Sequence, residues 1–173
     1  GIRENGRAIL IALRNLIPSV IDVKGFLEEG TSQNWTRAIF LAIESEISGK
    51  ADYLDARSLH LEHIAPQKAT EGWLQAIGAA GVSYEKQINQ IGNLTILDSG
   101  LNMQIKQASF AEKQTEYEKS RSNVSSDLAR VKNWTSEMIG LRTDWVAESL
   151  TGLLGSNEKK VENFSSWLHK RVG

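Results

Sequence analysis

Two short β-prone runs, Ser58–Ile64 and the "NLTILD" of Asn93–Asp98, are separated by about thirty residues in a chain that otherwise repeats apolar residues at helical spacing. The outline is therefore helices, strand, long insert, strand, helix, more helices. This predicts an α+β fold, mostly helical, in which a small ββα module is embedded in a helical shell. The first run belongs to "LHLEHIAPQ", Leu59 to Gln67, where two histidines and a glutamate alternate with apolar residues until Pro66 stops the strand. Strand parity places Leu59 and Leu61 on one side and His60 and Glu62 on the other, so His60 and His63 cannot point the same way.

The helical readings surround this module. Ala8–Ile17, "AILIALRNLI", is strongly apolar and ends before Pro18. Asn34–Ile47 places Trp35, Ile39, Ile43 and Ile47 on one face, with Gly49 as a stop. Trp73 and Leu74 belong to a short helix before the "GAAG" loop, and Tyr84–Ile91 is helical up to Gly92. Asp98 or Ser99 caps a helix carrying Leu101, Asn102, Ile105 and Lys106. Ser109 and Glu112 have capping-box spacing and open a helix through Tyr117. Ser125 or Ser126 opens another through Val131. A long helix in Trp134–Leu154 presents Met138, Leu141, Trp145 and Leu153 as its core stripe, and a charged helix runs from about Asn157 to Val172. The expected organisation is a helical portion over residues 1–57 packing on the module, the core over 58–154 and a final helix over 155–173.

Composition narrows the function classes. A chain of 173 residues is long enough for one domain with a real core. The net charge of −1 lacks the global signature of a nucleic-acid binder, so any phosphate contact must come from a local patch. Having no cysteine, the chain forms no disulfide or thiolate-ligated zinc site, which fits a reducing cytoplasm. No apolar run approaches a membrane span and no signal peptide is visible, so no membrane partner is expected. The chain begins with Gly1, as expected of an excised C-terminal part of a longer protein.

The polar residues of the module suit phosphodiester hydrolysis. A neutral imidazole takes a proton from water, and its second nitrogen needs an acceptor, which a carbonyl or amide oxygen near Asn93 could provide. A divalent cation, Mg²⁺ or Mn²⁺, wants hard oxygen ligands, and Glu62 and Asn102 are candidates. Lys106, expected one turn beyond Asn102 on the same face, and Lys113 are candidate DNA-phosphate contacts, since exposed lysines release counterions on binding. His60 is a further candidate DNA contact. Each of these also has a purely structural reading as a cap, turn or solvated face. His169 reads as solvated and the five tryptophans as core. Gln67 reads equally as bonding backbone near the site and as loop filler, and Arg142 reads as reaching the site or, in preference, as bracing the helical shell through a buried ion pair.

"LEHIAPQ", then "IGNLTILDSGLN", "SFAEK", Ser120, and "NWTSEMIGLR" with Trp134, Ile139 and Arg142 resemble the C-terminal domain of GmrSD-type modification-dependent restriction proteins, which are His-Me finger (HNH-type) nucleases. The resemblance covers roughly Leu59 to Leu154, and Gly1–Asp55 contributes little. It implies that His63 is the general base, that Asn93 orients and braces the site, and that Asn102 is a metal ligand in place of the family's final histidine. Glu62 stands where the family has an acidic residue, and its longer side chain leaves direct and water-mediated metal contact both open. The resemblance also implies a bacterial DNA endonuclease of anti-phage defence whose partner is an N-terminal ParB-like, modification-sensing NTPase module. The rival reading is a degenerate nuclease fold that binds DNA or protein without cutting.

Overall fold

The structure, a computed structural model, describes residues 18–49, 58–78, 83–155 and 160–172. The apolar segment Ala8–Ile17 and most of the "GAAG" loop lie outside the described residues. Along the chain the elements are α1 (Val20–Glu29), α2 (Gln33–Ser48), β1 (Leu59–His63), α3 (Glu71–Ile77), α4 (Tyr84–Ile88), a 3-10 turn (Ile91–Asn93) and β2 (Leu94–Asp98). Then follow α5 (Ser99–Ile105), α6 (Phe110–Tyr117), α7 (Asn123–Ser126), a second 3-10 turn (Asp127–Arg130), α8 (Ser136–Leu154) and α9 (Phe164–Val172). The fold is thus mostly helical with a two-stranded antiparallel sheet, as the α+β reading expects.

β1 and β2 pair from Leu59 opposite Asp98 to His63 opposite Leu94. The insert of α3 and α4 lies between them, and α5 follows β2 without a break and packs against both strands. Asp98 occupies the cap position of α5 but makes no side-chain cap bond. Its carboxylate instead accepts from Ser120 Oγ (3.0 Å), Arg121 N (3.1 Å) and Arg121 Nε (2.7 Å). Arg121 also reaches Ser58 Oγ at 3.0 Å, so this cluster ties the end of β2 to the entry of β1.

Where sequence signals are local, the elements start where those signals stand. Ser109 and Glu112 form the expected capping box, at 3.4 Å and 2.8 Å, and α6 begins at Phe110. Ser19 and Asp22 form a second box that opens α1, a helix the apolar pattern does not announce. α7 begins at Asn123, earlier than Ser125 or Ser126, because its start is capped from far away. Glu44 of α2 accepts from Ser122 Oγ (3.0 Å), Asn123 Nδ2 (2.7 Å) and Val124 N (2.9 Å). In α8 the buried residues include Ile139, Arg142, Trp145 and Val146, while Met138, Leu141 and Leu153 are only half-buried. The inward face is therefore rotated from the expected stripe, and Trp145 is the member they share. Asp127 anchors the start of α9 by accepting from Ser165 N (2.7 Å) and Ser165 Oγ (2.5 Å).

α8 lies directly against the first 3-10 turn. A Cβ on Gly92 would stand 2.0 Å from the Ile139 carbonyl oxygen and 2.9 Å from Thr143 N, so only glycine admits this backbone approach. α1 packs on the same helix, and α2 packs on β2, α7 and α8. The two N-terminal helices are thereby part of the wall around the hairpin. No helix among the described residues is long and apolar enough to cross a membrane.

Candidate functional site

The site is built where β1 ends. His63 is its last residue, half-buried, on the strand face of Leu59 and Leu61. Burial pushes its imidazole pKa below the ordinary value, and the nearby Lys113 charge adds to this. The Asn89 side chain beside the ring acts in the opposite direction, as a hydrogen-bonding neighbour that favours the protonated imidazole. Asn89 ends α4, and its amide nitrogen donates to Glu85 O at 3.0 Å, leaving its oxygen for His63. An imidazole whose one nitrogen is tied to an amide oxygen presents the other as a base.

Asn93 is not that acceptor, because its amide is already saturated. Its Nδ2 donates to Ala65 O and Ile88 O, both at 2.9 Å. Its Oδ1 accepts from Ala65 N at 2.9 Å and from the indole of Trp134 at 3.0 Å. The Asn93 carbonyl also accepts from Ile64 N at 2.9 Å. With two donors and two lone pairs engaged in the interior, Asn93 braces the chain that leaves His63 and has nothing left for metal or DNA. Tyr84 holds the next residue through a 2.7 Å bond to Pro66 O, and burial raises its phenol pKa to about 12. Gln67 beyond it is exposed.

Glu62 and Lys113 form a buried pair that the sequence does not announce. Glu62 lies on the hairpin face opposite to His63, buried, with Oε1 2.6 Å from Lys113 Nζ. Lys113 is wholly buried and also donates to the His63 carbonyl at 2.8 Å. The expectation of an exposed lysine awaiting phosphate does not hold for it, since its ammonium faces inward and is already partnered. Burial pushes the Glu62 pKa up and the Lys113 pKa down, and each shift is opposed by the partner's charge. Lys113 lies four residues before Tyr117 in α6, and both are buried. That helical spacing, in a register set by the Ser109 box, was the available signal that Lys113 points inward. Nothing comparable in the sequence marks Asn89.

Asn102 stands in α5, half-buried, one turn after β2, as expected. Lys106 is not one helical turn further along the same face, because α5 ends at Ile105 and Lys106 is its exposed C-terminal cap. His60 is exposed opposite Leu97. The described residues hold no group of three His, Cys, Asp or Glu able to cage a metal.

Arg142 is wholly buried, and no carboxylate among the described residues forms an ion pair with it. It donates to Gly92 O at 2.9 Å, to Leu94 O, and to Thr95 Oγ1 at 3.4 Å. Its guanidinium lies 5.1 Å from the Phe40 ring and 5.6 Å from that of Trp145. Burial lowers its pKa to about 9, which leaves it a cation at neutral pH. Bracing is thus its arrangement, through carbonyls and rings.

No curated protein and no solved structure matches the chain. The family of GmrSD restriction endonucleases, C-terminal domain, matches residues 22–149. That span begins well before Leu59 and takes in nearly all of α1 and the whole of α2, which the motif resemblance alone leaves out. The hairpin, its braced histidine and the helices around it are therefore one family unit, and the chain belongs to the GmrSD restriction endonuclease C-terminal domain family.

Proposed function

We propose that this domain is a metal-dependent DNA endonuclease of the His-Me finger (HNH) type, with His63 as general base. The observation that carries the reading is His63 itself, at a strand end with its pKa lowered by burial and its ring hydrogen-bonded to Asn89. A base of this kind is neutral at physiological pH and takes the proton of a water directed at phosphorus. Asn93 holds the backbone beyond it. Asn102 is the protein ligand for Mg²⁺ or Mn²⁺, which when bound would neutralise charge on the scissile phosphate. Glu62 is assigned to Lys113 instead of direct coordination, because its Oε1 is already bonded to that ammonium. His60 and Lys106 are exposed and remain the candidate phosphate contacts, and an N-terminal modification-sensing NTPase module is the partner that would deliver DNA.

The test is nicking or linearisation of supercoiled plasmid in Mg²⁺ or Mn²⁺. His63→Ala is expected to lower kcat by about 10²- to 10⁴-fold, and full activity in that variant would sink the assignment. Calorimetric titration of Mn²⁺ is expected to find a site in the native domain that Asn102→Ala loses. The absence of both metal binding and cleavage when joined to the partner module would favour the non-catalytic reading, a DNA- or protein-binding domain. Parallel assays on RNA and DNA separate the two nuclease specificities.

A further inference from the structure

We propose that Lys113 is a positioning residue for His63, acting through the main-chain carbonyl, with Glu62 as its counter-charge. The inference rests on the reading of His63 as the base, and it assigns the site a support that comes from outside the hairpin.

Lys113 Nζ has two partners, Glu62 Oε1 at 2.6 Å and the His63 carbonyl at 2.8 Å. Both belong to the last two residues of β1, so one ammonium grips the strand where the ladder stops. The lysine side chain is wholly buried. Burying an ammonium is costly, and an apolar pair of similar volume packs as well or better. Packing alone therefore does not account for a lysine here, whereas a donor required at the His63 carbonyl does. The other end of the lever is fixed too. Ser109 and Glu112 lock the start of α6, and Gln114, the neighbour of Lys113, donates to Val131 O at 2.7 Å and Ala129 O at 3.1 Å. Three supports thus hold His63 and the two residues after it: Lys113 on the His63 carbonyl, Asn93 on Ile64 and Ala65, and Asn89 beside the His63 ring. The side chains of Glu62 and His63 leave the strand on opposite faces, so the Lys113 ammonium grips the His63 main chain without touching the reacting atoms, while its charge also reaches the ring through space.

The experiment compares the native chain with Lys113→Met and with the paired variant Glu62→Met/Lys113→Met. The single variant strands a buried carboxylate and is expected to melt lower. The paired variant removes both charges together and is expected to keep a cooperative melt. In the paired variant kcat for plasmid nicking in Mn²⁺ should fall about 10- to 100-fold, while KM and Mn²⁺ affinity change less than about threefold. Nicking at the native rate by a folded paired variant overturns the proposal. A raised KM with a weaker salt dependence would return Lys113 to a phosphate, and lost Mn²⁺ affinity would give Glu62 to the metal; either result also overturns it. If the native chain itself does not nick, the nuclease reading fails by a different observation. The positioning claim is then read from the His63 ring and the Ile64 and Ala65 amides by NMR. Shifted signals in the paired variant support it, and unshifted signals refute it.

Discussion

Asn93 has every hydrogen-bonding group of its amide engaged inside the protein, and its neighbour Gly92 has no room even for a methyl group. The two residues make the site rigid by opposite means, saturation and closeness. Asn93→Ala orphans two donors and two acceptors and is expected to cost about 3 kcal/mol or more. Gly92→Ala drives a Cβ into the α8 backbone, with an expected cost of similar size. For a chain of this length, about 3 kcal/mol lowers the melting temperature by roughly 6–12 °C, which calorimetry would read directly. His63 carries a pH prediction. Its folded pKa lies below the ordinary 6.5, so the imidazole stays neutral as pH falls through that value. The acid limb of kcat/KM is therefore expected below pH 6.5. By linkage, the stability conferred by the buried neutral ring is present above the unfolded pKa and is lost as pH falls toward the folded one.

At the scale of elements, what can be read from sequence separates from what cannot by the range of the interactions. The strand over Ser58–Ile64, its parity and the Ser109–Glu112 box are local patterns, and β1 and α6 stand where those patterns put them. α7 starts earlier than the Ser125 and Ser126 signals predict, because its cap, Glu44, comes from a helix almost eighty residues before it. The stripe of α8 was rotated because Arg142 and Thr143, polar by type, face inward. In the site, the position of Asn102 was legible from its place after β2. The part of Asn89 was not, since it depends on which distant group lies opposite it; the inward aim of Lys113 shows in its four-residue spacing to Tyr117, but its partners Glu62 and the His63 carbonyl do not. Glu44→Ala tests the long-range cap. It removes the acceptor for three donors at α7 and is expected to lower stability by about 2 kcal/mol, seen as a lower urea midpoint with an unchanged slope.

At the scale of the molecule, the hairpin is walled by helices that precede it in sequence. α1 packs on α8 and α2 on β2, and the family span includes both. A chain beginning at residue 58 leaves the α8 face and Glu44's three donors without partners. It is expected to lose its cooperative melt, and a cooperative melt in that truncation would show the helices to be dispensable. The near-zero net charge has a counterpart in binding. With Lys113 turned inward, His60 and Lys106 are the two candidate contacts that remain exposed. Short-duplex DNA should therefore bind the isolated domain weakly, with a log–log salt slope of roughly −1, the contribution of one lysine charge. A much steeper slope would place further lysines or arginines on the DNA.

The indole of Trp134 is buried, its N–H is bonded to Asn93, and its ring lies 5.4 Å from that of Phe110. The site thus contains an intrinsic fluorophore one hydrogen bond from the residue that braces it. In a variant with the other four tryptophans replaced by phenylalanine, emission from Trp134 is expected in the blue, as from an indole shielded from water. Any loosening between Asn93 and Trp134 would then appear as a red shift before the whole fold gives way, so local opening at the site can be timed by light.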